Sequence, residues 1–375
     1  MLETNVIQDE VPSIGVTSDR PRWRSQIQLA RGLAPTPRPW LLLLLTGVAL
    51  GPYGLGLLSN TVLGVLDPAV SAALATLGAF VGMEIDVRRL RRSSLVVGGS
   101  VEAFVTLLAV AAGMLTAIRS VPDSSVTTPL LLSVLLGICA ASSATASPSP
   151  AKESAGIGGS DDLLPILLGL PALAAMRSHA PGEIATLTFG FTLVALAVAV
   201  ACWLLVSRTS SVTEERVFAI GGLLLLGGAA AYLSLSSLFA GFAAGVLWRA
   251  AGLDVRDRIA RDLGYLQQPV VGLLLLVAGA KLHVTMGLIG LIAAYVLCRS
   301  AGKLAGSLLA RRFVERHEPP LLTLSPGIVG VAFALNVVQV RAQDDMAAML
   351  FTVVVVGSLA SDAASLLVRE TEQTT

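Results

Sequence analysis

The sequence predicts an all-α polytopic membrane protein of about twelve transmembrane helices, and three observations carry that prediction. Of the 375 residues, 54% are hydrophobic and only 14% are charged, with a mean hydropathy of +0.78, a composition that excludes a water-soluble globule. Twelve apolar runs approach the length of about 20 residues that a bilayer core of roughly 30 Å demands. Arginine, finally, is spread unevenly over the loops between those runs.

Taken in order, residues 1 to 36 are polar, carry Arg20, Arg22, Arg24 and Arg31, and read as a disordered cytoplasmic tail with an interfacial stretch around Trp23 to Leu33. The first apolar run starts at Trp40, late for a cleavable signal peptide. The runs lie at 39 to 57, 64 to 85, 95 to 118, 128 to 147, 161 to 177, 184 to 207, 217 to 234, 236 to 250, 264 to 283, 286 to 309, 320 to 340 and 346 to 367. The fourth, fifth, seventh and eighth carry the weakest signals, and a tight turn at Ser234 to Ser237 separates the seventh from the eighth. The polar stretches at 148 to 162 and 250 to 263 are too short to fold alone. One membrane domain, 37 to 367, therefore accounts for the chain between the tail and a cytoplasmic segment at 368 to 375.

The even count agrees with the charges. Odd-numbered loops hold only Arg119, Arg177, Lys281 and Arg341. Arg88, Arg89, Arg91 and Arg92 follow helix two, Arg249, Arg256, Arg258 and Arg261 follow helix eight, and Arg311, Arg312 and Arg316 follow helix ten. Positive residues concentrate on the cytoplasmic side, so both termini are expected in the cytoplasm, with the protein in the plasma (inner) membrane. Lys plus Arg number 26 against 25 Asp plus Glu, which gives no basic excess for nucleic acid. Cys139, Cys202 and Cys298 lie far apart inside apolar runs, without disulfide or metal-ligand spacing.

Two helices break the rules of a regular span. Helix four ends in Ser142, Ser143, Ala144, Thr145, Ala146, Ser147, Pro148, Ser149 and Pro150, where the prolines lack N–H donors and push their predecessors out of the α region. Helix eleven carries Ser325, Pro326, Gly327 and Gly330. Irregular backbone at membrane depth persists only where it is buried in protein or lines a water-filled cavity. A pair of such interruptions in corresponding places of two halves points to inverted repeats with a binding site between them. Helices three to five then correspond to ten to twelve, and the two breaks, Ala144 to Pro150 and Ser325 to Gly330, are expected to approach each other. About 18 spanning residues precede the first break, placing it nearer the cytoplasmic face than the midplane.

Ionisable residues inside spans are the second pointer, since each is costly in lipid without a partner or cavity. Arg299 and Lys303 are four apart in helix ten and share a face. Lys303 lies close enough to the inner end to snorkel. Glu102 in helix three is either a proton-titrating group or the partner of one of these cations. Asp161 and Asp162 open helix five, where an N-terminal cap is the plain alternative. Asn336 and Asp362 are polar but ambiguous, and Lys281 and His283 fall at a boundary.

With these residues in place, the sequence resembles the monovalent cation:proton antiporter superfamily, in its sodium/hydrogen exchanger-like, Kef-type membrane domain. Leu50 to Gly56 resembles LGPxGLG; Gly82 to Asp86 resembles GxEhD; Ser143 to Ala146 resembles SSTA; Phe239 to Gly245 resembles GAFxAG. Arg299 to Lys303 looks like the basic segment of helix ten. The resemblance implies a secondary transporter exchanging sodium or potassium for protons, built as a homodimer and without a cofactor. It also implies a mid-helix-five carboxylate that holds either a proton or a cation, a basic residue of helix ten that neutralises the site, and crossed broken helices that supply compensating dipoles. This chain departs from that pattern at 170 to 175, where it reads Leu, Pro, Ala, Leu, Ala, Ala instead of carrying an acid. Two readings follow. Either Asp161 and Asp162, drawn into the funnel, or Glu102 replace the missing carboxylate in a transporter, or the chain is a non-transporting, regulatory or partner-binding subunit with a decayed ion site. Motifs of membrane enzymes are absent from the sequence.

Overall fold

The computed structural model describes residues 39–84, 94–120, 128–142, 160–178, 180–208, 212–250, 253–312, 327–341 and 344–374, with backbone alone at 39–40, 84, 94–97, 160–161, 206, 212, 215, 253–265 and 365–374. The N-terminal tail, the loop arginines 88 to 92, and Ser143, Thr145, Pro148, Pro150, Ser325 and Pro326 lie outside the described residues.

Among the described residues, twelve α-helices follow one another. They are α1 (Pro39–Leu50), α2 (Asn60–Glu84), α3 (Ser94–Arg119), α4 (Pro129–Ala141), α5 (Ser160–Ala175) and α6 (Pro181–Ser207). The second six are α7 (Val212–Tyr232), α8 (Ser237–Ala250), α9 (Leu253–Ala280), α10 (Ile289–Ala310), α11 (Ile328–Val340) and α12 (Asp345–Thr374). Five of them are long and apolar enough to cross a membrane, and the others contain apolar stretches of 10–17 residues. The chain is an all-α integral membrane protein.

Where helix ends differ from the predicted spans, the local chemistry explains the shift. α1 stops at Leu50 because Gly51 and Pro52 follow; Pro52 has no N–H to continue the ladder, and Leu55 N–H turns back onto Ala49 O at 2.7 Å. Gly56 closes that turn at φ +68°, a backbone conformation that glycine adopts at no steric cost. α9 starts at Leu253, well before residue 264, so most of the polar stretch at 250 to 263 is helical.

Helices without a hydrophobic drive in lipid associate through close backbone packing at small residues, and this chain uses that device repeatedly. Gly78 and Gly82 of α2 face Gly241 and Gly245 of α8, and a Cβ on any of the four would strike the facing backbone. Gly47 of α1 and Gly279 of α9 clasp in the same way. The glycines in two of the sequence patterns, Gly82 and Gly241 with Gly245, thus serve helix contact.

Packing groups α3, α4, α5, α10, α11 and α12 together, while α2 and α6 to α9 form a second set. The C-termini of odd-numbered helices share one side, here the odd-loop side. There Arg177 Nη1 donates to Leu233 O at 2.9 Å, Arg341 donates to Met176 O, and Lys281 Nζ lies 2.7 Å from Asp67 Oδ1. At the opposite side Arg249 Nη1 donates to Met83 O at 2.5 Å.

Candidate functional site

The site begins where two helices stop short. α4 and α11 each have 13 residues, so at 1.5 Å per residue each spans about 20 Å of a core of roughly 30 Å. Helix four therefore ends earlier than expected: 13 helical residues, not about 18, precede the break. Its last residue is Ala141, and Ser142 already has the extended pair φ −64°, ψ 136°. On α11 the N-cap Gly327 is extended at φ −78°, ψ 148°. The two ends meet: Gly327 N–H points at Ser142 O at 3.4 Å, and Gly330 packs so closely on the Cys139 carbonyl that a Cβ would collide with it. The contacts step backward along α4 as they step forward along α11, so the helices run antiparallel. The negative end of one dipole faces the positive end of the other.

The last carbonyls of α4 have no helical partners, and α10 supplies donors for them. Arg299 Nη2 donates to Ser142 O at 3.1 Å, and Lys303 Nζ donates to Ala141 O at 2.8 Å. Lys303 does not snorkel; it is 0% exposed. Gly302 and Gly306 bring α10 onto the backbone of α3 at Thr106 and Glu102. That approach sets Glu102 Oε1 3.7 Å from Lys303 Nζ, with both side chains fully buried. Of the two partners open to Glu102 from sequence, Lys303 makes the ion pair, while Arg299 also lies in the field of Glu102.

Asp162 reaches the same point from α5. Ser142 Oγ donates to Asp162 Oδ1 at 2.7 Å, so one residue at the crossing carries Arg299 on its carbonyl and Asp162 on its hydroxyl. α5 starts at Ser160, and Asp162 lies 13 residues, or about 20 Å, along it from Ala175. That matches the depth at which α4 breaks. The Asp161 side chain lies outside the described residues. The fifth charged group is Asp362 on α12, 1% exposed, whose charge acts on Arg299 together with that of Glu102.

The middle of α5 is apolar in space as well as in sequence. Leu170, Leu173 and Ala174 are buried, and Gly169 lies against the ring of Phe333. Asn336 stands apart from the charged cluster. Its Oδ1 accepts from Ser237 N–H at 3.2 Å and its Nδ2 donates to Ser236 Oγ at 3.1 Å, tying α11 to the start of α8. Sequence reasoning passed over Ser142 as a site residue; its only signal was its place at the head of the polar run before the prolines.

No protein-family model matches the sequence, and no curated protein matches it. Solved structures do: one is the sodium proton antiporter MjNhaP1 from Methanocaldococcus jannaschii at pH 8, 17% identical, with a TM-score of 0.57 over 92% of this chain and 91% of that one. Short antiparallel helices that meet at their inner ends, and this likeness along nearly the whole length, go together: the chain shares the all-α membrane fold of that sodium proton antiporter.

Proposed function

We propose that the chain is a secondary active transporter exchanging a monovalent cation, sodium or potassium, for protons, with Asp162 as the carboxylate that holds one or the other. One observation carries this reading: at the crossing, Ser142 joins an acid, Asp162, to a buried cation, Arg299. Among the described residues the cluster sets three carboxylates (Glu102, Asp162, Asp362) against two cations (Arg299, Lys303). A single carboxylate can be neutralised by a proton or by a monovalent cation, but not by both at once. Competition for one anion, combined with alternating access, couples the two fluxes. Asp161 stands beside Asp162 as a second candidate, and Glu102, held by Lys303, as a third. The arginine asymmetry supports cytoplasmic termini, and the inner membrane as the location.

The non-transporting reading rests on the apolar centre of α5, where Leu170 to Ala175 fill the place of the expected acid. Reconstituted protein decides between the two. Under the transporter reading, a sodium, potassium or lithium gradient drives proton movement in proteoliposomes; its absence with all three cations favours the decayed site.

A further inference from the structure

Arg299 is deeply buried beside the Ser142 carbonyl. It is 1% exposed, and a guanidinium in such a place needs a counter-charge in addition to hydrogen bonds. The register of α10 on α12 brings one. Gly357 of α12 has no side chain, and the Tyr295 ring of α10 lies against its backbone. Both helices run away from the odd-loop side. Arg299 is four residues beyond Tyr295 and Asp362 five beyond Gly357, advances of about 6 and 7.5 Å, so the two charged residues lie at one level. Asp362 is 1% exposed and faces protein, not lipid.

We propose that Asp362 is a positioning residue of the ion site: it holds Arg299 against the Ser142 carbonyl, and through Ser142 it sets the charge felt by Asp162. The series Asp362, Arg299, Ser142, Asp162 runs across four helices or helix ends, α12, α10, α4 and α5. The field at Arg299 supports the arrangement, since Tyr295, Asp362 and Glu102 all act on it. Among the described side chains, the other titratable groups around the series are Lys303 on α10 and Cys139 on α4, both buried, and α11 between Ile328 and Val340 brings none; Asp161 adjoins Asp162 in the sequence. With Asp362 neutralised, less of the Arg299 charge is offset, and Asp162 holds its proton less tightly. This extension rests on the exchange reading for its transport readout.

The test is Asp362→Asn, with Asp362→Glu as the rescue. In proteoliposomes the expected result is a pH profile of exchange displaced to lower pH by about one unit, the effect of one charge roughly 10 Å away at an effective dielectric of about 20. Asp362→Glu restores it. An unmoved profile with reduced turnover means a structural role and overturns the proposal. A second measurement stands if wild type exchanges nothing: melting temperatures in detergent of Asp362→Asn, Arg299→Gln and the double variant. A loss in the double variant smaller than the sum of the single losses supports the pairing, and additive losses overturn it. A silent wild type with non-additive melting thus refutes exchange without refuting the pair.

Discussion

Replacing Lys303 by Met keeps the length and apolar stem of the side chain and removes its charge. The structure sets the size of the effect. The ammonium lies 3.7 Å from Glu102 Oε1, both groups are fully buried, and it donates to Ala141 O at 2.8 Å. Two charges at that separation attract by about 4–5 kcal/mol at an effective dielectric of about 20. Removing one member of a buried pair typically costs about 3–5 kcal/mol, and the bond to the α4 carbonyl contributes about 1–2 kcal/mol more. Protonation of Glu102 limits the total, so the expected loss is about 3 kcal/mol, a fall in melting temperature of roughly 4 °C for a chain of this size. Thermal unfolding of the detergent-solubilised protein reads it. Adding Glu102→Gln to Lys303→Met removes the acid as well and should recover most of the fall. A fall under about 2 °C for Lys303→Met, or no recovery in the double variant, refutes a buried, mutually stabilising pair.

Gly241→Leu should be strongly destabilising, by more than about 3 kcal/mol, because a side chain there meets the Ala75 carbonyl carbon and Cα at 2.5 and 2.7 Å and must push α8 off α2; melting temperature and yield of folded protein report it. Asp67→Asn should change stability by less than about 1 kcal/mol, since the Lys281–Asp67 pair is 17% and 44% exposed and such pairs are screened by water and salt; a larger loss in a salt titration of the melting temperature contradicts that ranking.

The order and type of the described helices were legible because Gly, Pro and Arg punctuate long apolar runs, and each of the twelve runs overlaps one of them. The end of α4 was not legible. Its terminal carbonyls are taken by Arg299 and Lys303, 157 and 162 residues further along the chain, so the helix stops where distant donors are waiting and not at the nearest proline. The same fact hid the place of Asp162. Counted along the chain it lies early in helix five, but its position relative to the crossing depends on where α4 breaks and on Ser142. Glycines 82, 241 and 245 were visible as parts of patterns, while their role as a helix clasp appears only when α2 and α8 are brought together. Asp362 illustrates the remaining gap: a lone acid in an apolar run gives no clue to its neighbours, and only the Tyr295–Gly357 register puts it level with Arg299.

Asp162, bonded to Ser142 at the crossing, is on this reading the acid shared by proton and cation. The most direct measurement is cation-driven proton exchange in proteoliposomes, comparing wild type with Asp162→Asn, alone and combined with Asp161→Asn, after folded protein has been verified for each. Exchange is expected in wild type, with its loss to the protein-free background in Asp162→Asn. Full exchange in the variant carrying both substitutions would contradict that role.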